Sequence, residues 1–425
     1  MSITNTTAEI PVSHSEDEVA FGFSELFFSR TDERGKIQSG NTVFQRVSGY
    51  SWQELLNKPH NVIRHSDMPR GVFWLLWDRI RRGLPTGAYV KNRSQDGRYY
   101  WVYAIVTPVE GGYLSVRLKP SSPVFCDVQA VYAEILACEA KEGLSPSQSA
   151  TRLNERLIDA GCRDYDNFMA MSLLAEFQHR SLILCQGIPA AITSFNDLMT
   201  SANKLLSTAE AIADACNAYR FVPLNLIVQA GQMGSAGAAI GTISANYSML
   251  SQEIQVNLAT FFEAARRVSM TIHEGAFFLA TSMVQEEISV VFENEPVTQN
   301  VDHLSEATKL RHQLTRYQAK AAENLRGIQR ELKQFGEGTA GMKRLASGLA
   351  AIRVMGKVEA GRLGTTVLND LICDLEAFQE KLNQGLNDIG NLNNGLCFNA
   401  DQLEKLHASS EVGLRLDPSC DAAKV

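Results

Sequence analysis

The stretch DGRYYWVYAIVTPVEGGYLSVRLKP, residues 96–120, decides the fold of the N-terminal part of the chain. It contains two runs of aromatic and β-branched residues, 99–106 and 113–118, and a turn dipeptide with glycine precedes each run. Such runs behind turn dipeptides are typical of antiparallel strands. We therefore predict that the two runs form a β-hairpin.

Short helices are expected upstream of this hairpin. Residues 52–56 follow Ser51, which can cap a helix, and residues 71–82 follow Pro69, which favours a helix start. Helices and antiparallel strands together give an α+β fold class for residues 22–120, a length typical of one domain.

The remainder of the chain, after a domain boundary that we place at residues 120–123, is expected to be all-α. Apolar residues recur in steps of four and three on two stripes that flank a glycine-rich turn at 231–237. These stripes predict an antiparallel coiled-coil hairpin or helical bundle over 201–300, with its tip near 229–238. An ordinary bundle core has the same pattern. The stripes are Leu205, Ala209, Ile212, Cys216, Tyr219, Pro223 and Leu226, and then Ile240, Ile243, Tyr247, Leu250 and Ile254.

Other segments complete the predicted organisation. Pro223 should bend or break the first arm of the hairpin, because it removes a helical hydrogen bond. Helix breaks are expected at 336–338 and at Gly395, and residues 349–361 weakly repeat 224–236. The remaining assignments are flexible tails at 1–21 and 411–425, connecting helices at 121–200 and an additional helical region at 301–410.

Composition excludes several classes of protein. A net charge of -7 over 425 residues gives no basic excess for nucleic acid. None of the eight cysteines belongs to a Cys-x-x-Cys pair, so we expect reduced thiols and no metal site. No basic leader with an apolar run and no long uncharged apolar stretch is evident, so we expect a cytoplasmic protein without a membrane span. We expect no enzyme, because a phosphate loop, a nucleophile elbow and a kinase motif are lacking.

Three motifs before the domain boundary carry a family resemblance: PHNVIRHSDMP at 59–69, VKNRSQDGRYYWV at 90–102 and YLSVRLKP at 113–120. With them, residues 48–119 resemble the FAD-binding PAS domain of bacterial aerotaxis receptors. The chain departs from that family at Thr86, where most members have tryptophan. The resemblance implies a PAS fold, bound FAD, and flavin-binding roles for Asn41, Arg64, His65, Asp67, Phe73 and Asn92.

Aromatic side chains in this region suit a flavin. An isoalloxazine ring needs an apolar slot with aromatic faces, together with a few polar groups for its edge and its phosphates. Haem bound by His65 or His60, and an empty pocket that serves only dimerisation, are the alternatives. The candidate aromatic residues are Phe73, Trp74, Trp77 and Trp101.

The polar residues of the first motif have structural explanations as well. Arg64 suits a phosphate or carbonyl oxygen of a cofactor, but in isolation it would form a surface salt bridge. His65 is either a hydrogen-bond donor near the ring or a helix cap. Asp67 by itself is better explained as the N-cap of the helix after Pro69.

The sequence AYRFVPLNLIVQAGQMGSAGAAIGTISANYSML at 218–250 resembles the hairpin tip of methyl-accepting chemotaxis transducers, without gaps. This resemblance implies a homodimer, in which two hairpins pair into a four-helix bundle, and contact with the chemotaxis kinase and its coupling adaptor. The implied contact residues are Asn225, Gln229, Gln232 and Ser235. The family has glutamate and arginine where this chain has Gln229, Gln232, Ser235 and Ala238, so the charges that select the partner are missing.

A candidate methylation sequence, TSMVQEEIS at 281–289, partly resembles that of the same family, with Gln285 and Glu286 as the modified positions. Such a string is also common on an exposed helix face.

Three functional hypotheses follow from these patterns. The first is a redox or oxygen sensor of the aerotaxis type, in which a flavin-binding PAS domain controls a transducer-like helical output. The second keeps the PAS sensor but makes the chain a regulator or scaffold that does not couple to the chemotaxis kinase. The third, an enzyme, has no supporting motif.

Overall fold

The computed structural model describes residues 17–298, 300–364 and 366–415, so the predicted tails fall for the most part outside the described residues. The chain divides into two compact units. The first ends at Ile188 and also includes Phe277–Ala319, and the second consists of Pro189–Ala276 and the chain from Lys320 onward.

The first unit is built on a five-stranded antiparallel sheet. Its strand order is β2-β1-β5-β4-β3, and the predicted hairpin is confirmed as β4 and β5, which pair from Tyr103–Leu118 to Val109–Gly112. Aromatic and β-branched residues make these strands because their side chains pack well on a half-buried pleated surface. The strands are β1 Phe27–Asp32, β2 Ile37–Gly40, β3 Thr86–Arg93, β4 Tyr99–Val109 and β5 Gly112–Leu118.

Three helices and one 3₁₀ turn connect β2 to β3 and lie along one face of the sheet. They are α1 Thr42–Ser48, α2 Trp52–Leu55, the 3₁₀ turn His60–Ile63 and α3 Arg70–Arg81. The predicted helix after Ser51 is confirmed, and Ser51 forms a capping box with Glu54.

Asp67 was expected to cap α3, and this expectation is wrong. The helix begins after Pro69, and its first backbone amide, that of Arg70, donates to the buried Glu139 carboxylate at 2.7 Å. Because Glu139 satisfies the amide from another helix, Asp67 is free to accept a hydrogen bond from Lys91 Nζ at 2.9 Å.

Three further helices, α4 Pro123–Glu142, α5 Pro146–Asp159 and α6 Tyr165–Ile183, complete the PAS-bearing part of the first unit. The buried carboxylate of Glu176 fixes α6 to the end of the sheet. It accepts hydrogen bonds from Ser121 N at 2.6 Å, from Ser122 Oγ at 2.6 Å and from Tyr89 OH at 2.8 Å. A buried carboxylate needs such partners, because an unpaired one is costly to desolvate.

The second unit contains long helices. The expected break at Pro223 is confirmed, because α7 ends at Ala218 and α8 begins at Val222 with proline in its first turn. The expected breaks at 336–338 and Gly395 are wrong, because Gly336, Gly338 and Gly395 lie inside continuous helices. A Cβ at Gly336 would lie 3.0 Å from Asn393 Nδ2, so glycine here permits close helix packing. The helices are α7 Ala190–Ala218, α8 Val222–Gln232, α9 Ala238–Glu293, α10 His303–Leu363 and α11 Thr366–Arg415. The end of α9 and the start of α10, within Phe277–Ala319, belong to the first unit.

These helices form two antiparallel hairpins within one chain. The buried residues of the two predicted stripes, on the first hairpin of α7 and α8 with α9, lie in the core of the second unit, where Tyr219 at the C-terminal end of α7 packs on Phe378 of α11 with 5.5 Å between the ring centroids. The second hairpin, α10 with α11, supplies Ile352, Ile372 and Leu375 to a cavity that Leu226 and Tyr247 line from the first. Within the second unit, α10 and α11 therefore cover part of the apolar stripe of the first hairpin.

One helical segment, Gly234–Glu293, has the length and the apolar composition to cross a membrane. Of its most apolar window, 67% is buried inside the protein, which is also what the core helix of a water-soluble bundle shows.

Candidate functional site

A cavity of about 750 Å³ lies between the sheet and the helices that connect β2 to β3. Side chains alternate between the two faces of a strand, and the residues of β1, β3, β4 and β5 that line this cavity follow that alternation. The strand residues that line it are Ser29, Thr31, Val90, Asn92, Ala104, Val106, Tyr113, Ser115 and Arg117.

The helical wall of the cavity is aromatic. Phe73, Trp74 and Trp77 of α3 line it. Trp77 makes an edge-to-face contact with Tyr113, with 5.6 Å between the ring centroids. The Arg64 guanidinium lies 4.0 Å from the centroid of the Phe73 ring. These faces provide the apolar surface that a planar aromatic ligand requires.

A buried polar cluster occupies one end of the cavity. Arg117 Nη2 lies 2.9 Å from Ser29 Oγ and 2.6 Å from His60 Nε2. Burial, reinforced by the Arg117 charge, lowers the pKa of His60 to about 3, so its imidazole is neutral at physiological pH. Burial also lowers the pKa of Arg117 to about 10, which leaves the guanidinium charged.

Two other lining residues have polar atoms without a hydrogen-bond partner among the described residues. These atoms are Asn92 Nδ2 on β3 and Ser115 Oγ on β5. Buried polar atoms are nearly always hydrogen-bonded in native proteins. The two atoms are therefore available to polar groups of a ligand or of water in the cavity.

The residues that the sequence assigned to a flavin are only partly brought together. Arg64, Phe73, Trp77 and Asn92 line the cavity. The described residues that line the cavity do not include Asn41, His65, Asp67 or Trp101. Their positions have separate physical reasons.

Asn41 caps α1 instead. Its Oδ1 accepts from Phe44 N at 3.3 Å, and its Nδ2 donates to Glu295 at 2.9 Å. Trp101 lies on the other face of β4 from the lining residues and packs on Phe125, with 5.3 Å between the ring centroids.

The His65–Asp67 segment forms a local turn outside the cavity. His65 Nδ1 accepts a hydrogen bond from Asp67 N at 3.0 Å, and Asp67 binds Lys91. Thr86, which replaces the family tryptophan, is buried beside Met169 of α6, with 3.6 Å between Oγ1 and Sδ.

The face of the sheet opposite the cavity binds residues 277–319 of the same unit. Phe28 packs edge to face on Phe292, with 5.0 Å between the ring centroids.

Glu306 is buried and accepts hydrogen bonds from Arg30 Nη2 at 2.6 Å and from Ser39 Oγ at 2.6 Å. Burial raises the pKa of Glu306, but the hydrogen bonds from Arg30, Ser39 and Lys309 outweigh this effect and leave the pKa below its ordinary value. Sequence reasoning missed this contact, because nothing local relates residues so far apart.

The candidate methylation segment belongs to this contact as well. Gln285 is only 1% exposed, and its amide lies 3.4 Å from Thr107 Oγ1 of β4. Glu286 is half-buried. The burial of Gln285 contradicts the expected role as a methylation site, because a modifying enzyme needs access to the side chain.

The predicted partner-binding residues lie at the tip of the first hairpin in the second unit. Asn225, Gln232 and Ser235 are exposed, and Gln229 is half-buried. The turn itself is tight, because a Cβ at Gly237 would lie 2.1 Å from the carbonyl oxygen of Ala230.

A flavin fits the residues of the cavity. The aromatic wall can cover the ring, and the unpartnered Asn92 and Ser115 atoms can meet its polar edge. Arg34 and Arg81 are lining residues exposed to solvent, and guanidinium groups suit a pyrophosphate. Among the described residues, no cluster of three or more His, Cys, Asp or Glu could hold a metal ion.

The family model described as PAS fold matches residues 39–115. The aerotaxis receptor of Escherichia coli is 39% identical over 135 residues, which cover 31% of this chain and 25% of the receptor. Biofilm dispersion protein BdlA of Pseudomonas aeruginosa is 27% identical over 143 residues, which cover 33% of each chain. The matched regions thus span between a quarter and a third of these relatives.

Among solved structures, the light state of the blue-light photoreceptor Aureochrome1 LOV matches with 23% identity and a TM-score of 0.22, over 24% of this chain and 87% of that one. The fold, the matched family model and the identity to the receptor agree. The N-terminal part of this chain is a PAS domain that is homologous to part of the aerotaxis receptor.

Proposed function

We propose that this chain is a signal-transducing sensor whose PAS domain binds FAD and responds to the redox state of the cell. The main support for this proposal is the cavity. It combines an aromatic wall with unpartnered polar atoms on Asn92 and Ser115, and it belongs to a domain 39% identical to part of an aerotaxis receptor. Haem is the weaker candidate, because His65 is not among the lining residues and His60 Nε2 is engaged by Arg117 at 2.6 Å.

The sheet offers a direct route for the signal. On β1, Ser29 faces the cavity, whereas its neighbours Phe28 and Arg30 contact residues 277–319 on the opposite face. A small shift of Ser29 at the cavity would alter the packing of Phe28 and Arg30 on the opposite face of the same strand. Because α9 and α10 continue along the chain into the second unit, they are the proposed output elements.

The output is proposed to differ from that of a chemotaxis transducer. Gln229, Gln232 and Ser235 leave the tip without the charges that would select the kinase and its adaptor, and Gln285 is buried. These observations favour the second hypothesis, a cytoplasmic regulator without turnover that acts outside the chemotaxis array.

The first test is the absorption spectrum of the cofactor that the purified chain releases on heating. A flavin spectrum is expected, and a Soret band would replace the flavin proposal with haem. The variant Ala104→Phe fills the cavity, since Ala104 lines it, and should abolish flavin binding. The matched control is Ala130→Phe on the exposed face of α4, which should bind flavin like the wild type. Equal flavin content in the two variants would refute this cavity as the site.

A further inference from the structure

Arg117 is a buried cation without an acidic partner. The residue is 3% exposed, and its guanidinium contacts Ser29 Oγ, His60 Nε2 and the Ser115 carbonyl oxygen, none of which carries a charge at physiological pH. Among the described residues, no carboxylate lies within 4.0 Å of it. A charge buried in this way destabilises the protein unless something neutralises it.

Nothing else in the cavity supplies that neutralising charge. The one carboxylate among the described lining residues, Asp78, already forms an ion pair with Arg82 at 2.6 Å. His60 is neutral and uses its Nε2 to accept from the guanidinium, while its ring stacks on Phe44 at 6.3 Å. The polar end of the cavity is therefore positively charged and largely shielded from water.

We propose that Arg117, positioned by Ser29 and His60, is the anion subsite of this cavity and stabilises the negative charge that the flavin ring gains on reduction. The inference rests on the proposed flavin function and adds a specific role to it. Oxidised isoalloxazine is neutral. Transfer of a proton and an electron pair from a reduced electron carrier gives a dihydroflavin with one negative charge, which can pair with the guanidinium. The pocket therefore favours the reduced cofactor.

The same charge gives the sensor a means of detecting reduction. In the oxidised state the guanidinium keeps its hydrogen bond to Ser29 on β1, and in the reduced state it can move toward the ring. Ser29 lies between Phe28 and Arg30, the two residues that bind residues 277–319. A shift of Arg117 would therefore act on β1, the strand that contacts residues 277–319.

The test compares the full chain in its wild-type form with Arg117→Gln, Arg117→Lys and the matched control Arg93→Gln. Arg93 is also an arginine on a strand of the sheet, but it is exposed to solvent and is not among the described residues that line the cavity. Dissociation constants are measured for oxidised FAD and for dithionite-reduced FAD, together with the midpoint potential of the bound cofactor. Thermal unfolding of each cofactor-free variant checks that it is folded.

Arg117→Gln should weaken binding of reduced FAD roughly 100-fold more than binding of oxidised FAD, as expected for loss of a charge-assisted hydrogen bond. That ratio corresponds to a potential about 60 mV lower. Arg117→Lys should lower the potential by no more than half of that amount, because lysine retains the charge, and Arg93→Gln should leave the potential nearly unchanged.

Three results would overturn the proposal, and they are distinguishable. If the wild type binds FAD and Arg117→Gln weakens both redox forms equally, the anion subsite is wrong while the flavin function stands. If the wild type binds neither form, both proposals fail. If Arg117→Gln does not fold, Arg117→Lys provides the test, and a potential lowered by as much as about 60 mV in this variant would refute the role of the Arg117 charge, because lysine retains that charge.

Discussion

The ion pair between Arg30 and Glu306 allows a quantitative test of the contact between the sheet and residues 277–319. The Glu306 side chain is 5% exposed and that of Arg30 is 16% exposed. Glu306→Ala would leave the Arg30 guanidinium without its carboxylate partner and the Ser39 hydroxyl without its hydrogen-bond acceptor. Removing one partner of a buried pair costs about 3–5 kcal/mol, and the partial exposure of Arg30 favours the lower end, about 3 kcal/mol.

Tryptophan fluorescence during urea unfolding is a suitable assay, because all four tryptophans, at 52, 74, 77 and 101, belong to the first unit. The signal therefore reports on that unit alone. A loss of about 3 kcal/mol should also lower the thermal midpoint by roughly 6–12 °C for a unit of this size. The double variant Arg30→Met, Glu306→Leu should be less destabilised than Glu306→Ala, because neither charge remains unpaired.

The pH dependence gives a second check on the same residue. The pKa of Glu306 is lowered in the folded chain, so the pair stabilises the protein above the ordinary carboxyl pKa of 4.5 and loses this effect as the pH falls. The difference between wild type and Glu306→Ala should therefore shrink in acid. Glu293→Gln is the control, because its partner Arg311 is 67% exposed, and it should leave the midpoint nearly unchanged. If Glu306→Ala also leaves the midpoint nearly unchanged, the contact between the sheet and residues 277–319 does not stabilise the first unit.

Other features give further predictions. The pKa of His60 is lowered to about 3, so the folded chain binds fewer protons than the unfolded chain between pH 3 and 6.5. The free energy of unfolding should therefore decrease as the pH falls through this range, by up to about 1.4 kcal/mol per pH unit. His60→Gln should remove this slope from the fluorescence-detected urea midpoint. Gly237→Ala should lower the thermal midpoint seen by circular dichroism, at a cost of about 1–3 kcal/mol, whereas Gly231→Ala, which meets open space, should not. If the chain retains any affinity for the coupling adaptor, Gln229→Glu with Gln232→Arg should strengthen it by about 10-fold at low salt in a binding titration, and an unchanged affinity would favour a regulator outside the array.

Local sequence was sufficient for the parts of the fold that local physics controls. The β4–β5 hairpin follows from aromatic runs behind turn dipeptides, and α2 follows from the capping residue Ser51. The predictions at Gly336 and Gly395 failed because glycine inside a helix costs only about 1 kcal/mol relative to alanine. Burial of a long apolar stripe outweighs that cost, and at Gly336 the missing side chain permits contact with Asn393.

The candidate site could be predicted only in part, because residue type does not reveal which face of an element a side chain occupies. Asn92 and Phe73 reach the cavity, whereas Trp101, which is as suitable by chemistry, lies on the opposite face of its strand. Arg117 drew no attention in the sequence, since an arginine in a strand is usually an exposed residue. Its significance depends on burial without a carboxylate, which only the packed structure can reveal.

The alternation of β1 also explains why sensing and output are expected to depend on each other. Ser29 binds Arg117 on the cavity face, and the adjacent Phe28 and Arg30 bind Phe292 and Glu306 on the other. A rigid strand cannot move one face without the other, so ligand binding and the Arg30–Glu306 pair should be thermodynamically coupled. By reciprocity, Glu306→Ala should change the affinity for reduced FAD relative to oxidised FAD, although Glu306 does not line the cavity. An unchanged ratio, in a variant that is folded and binds FAD, would mean that the signal leaves the domain by another route.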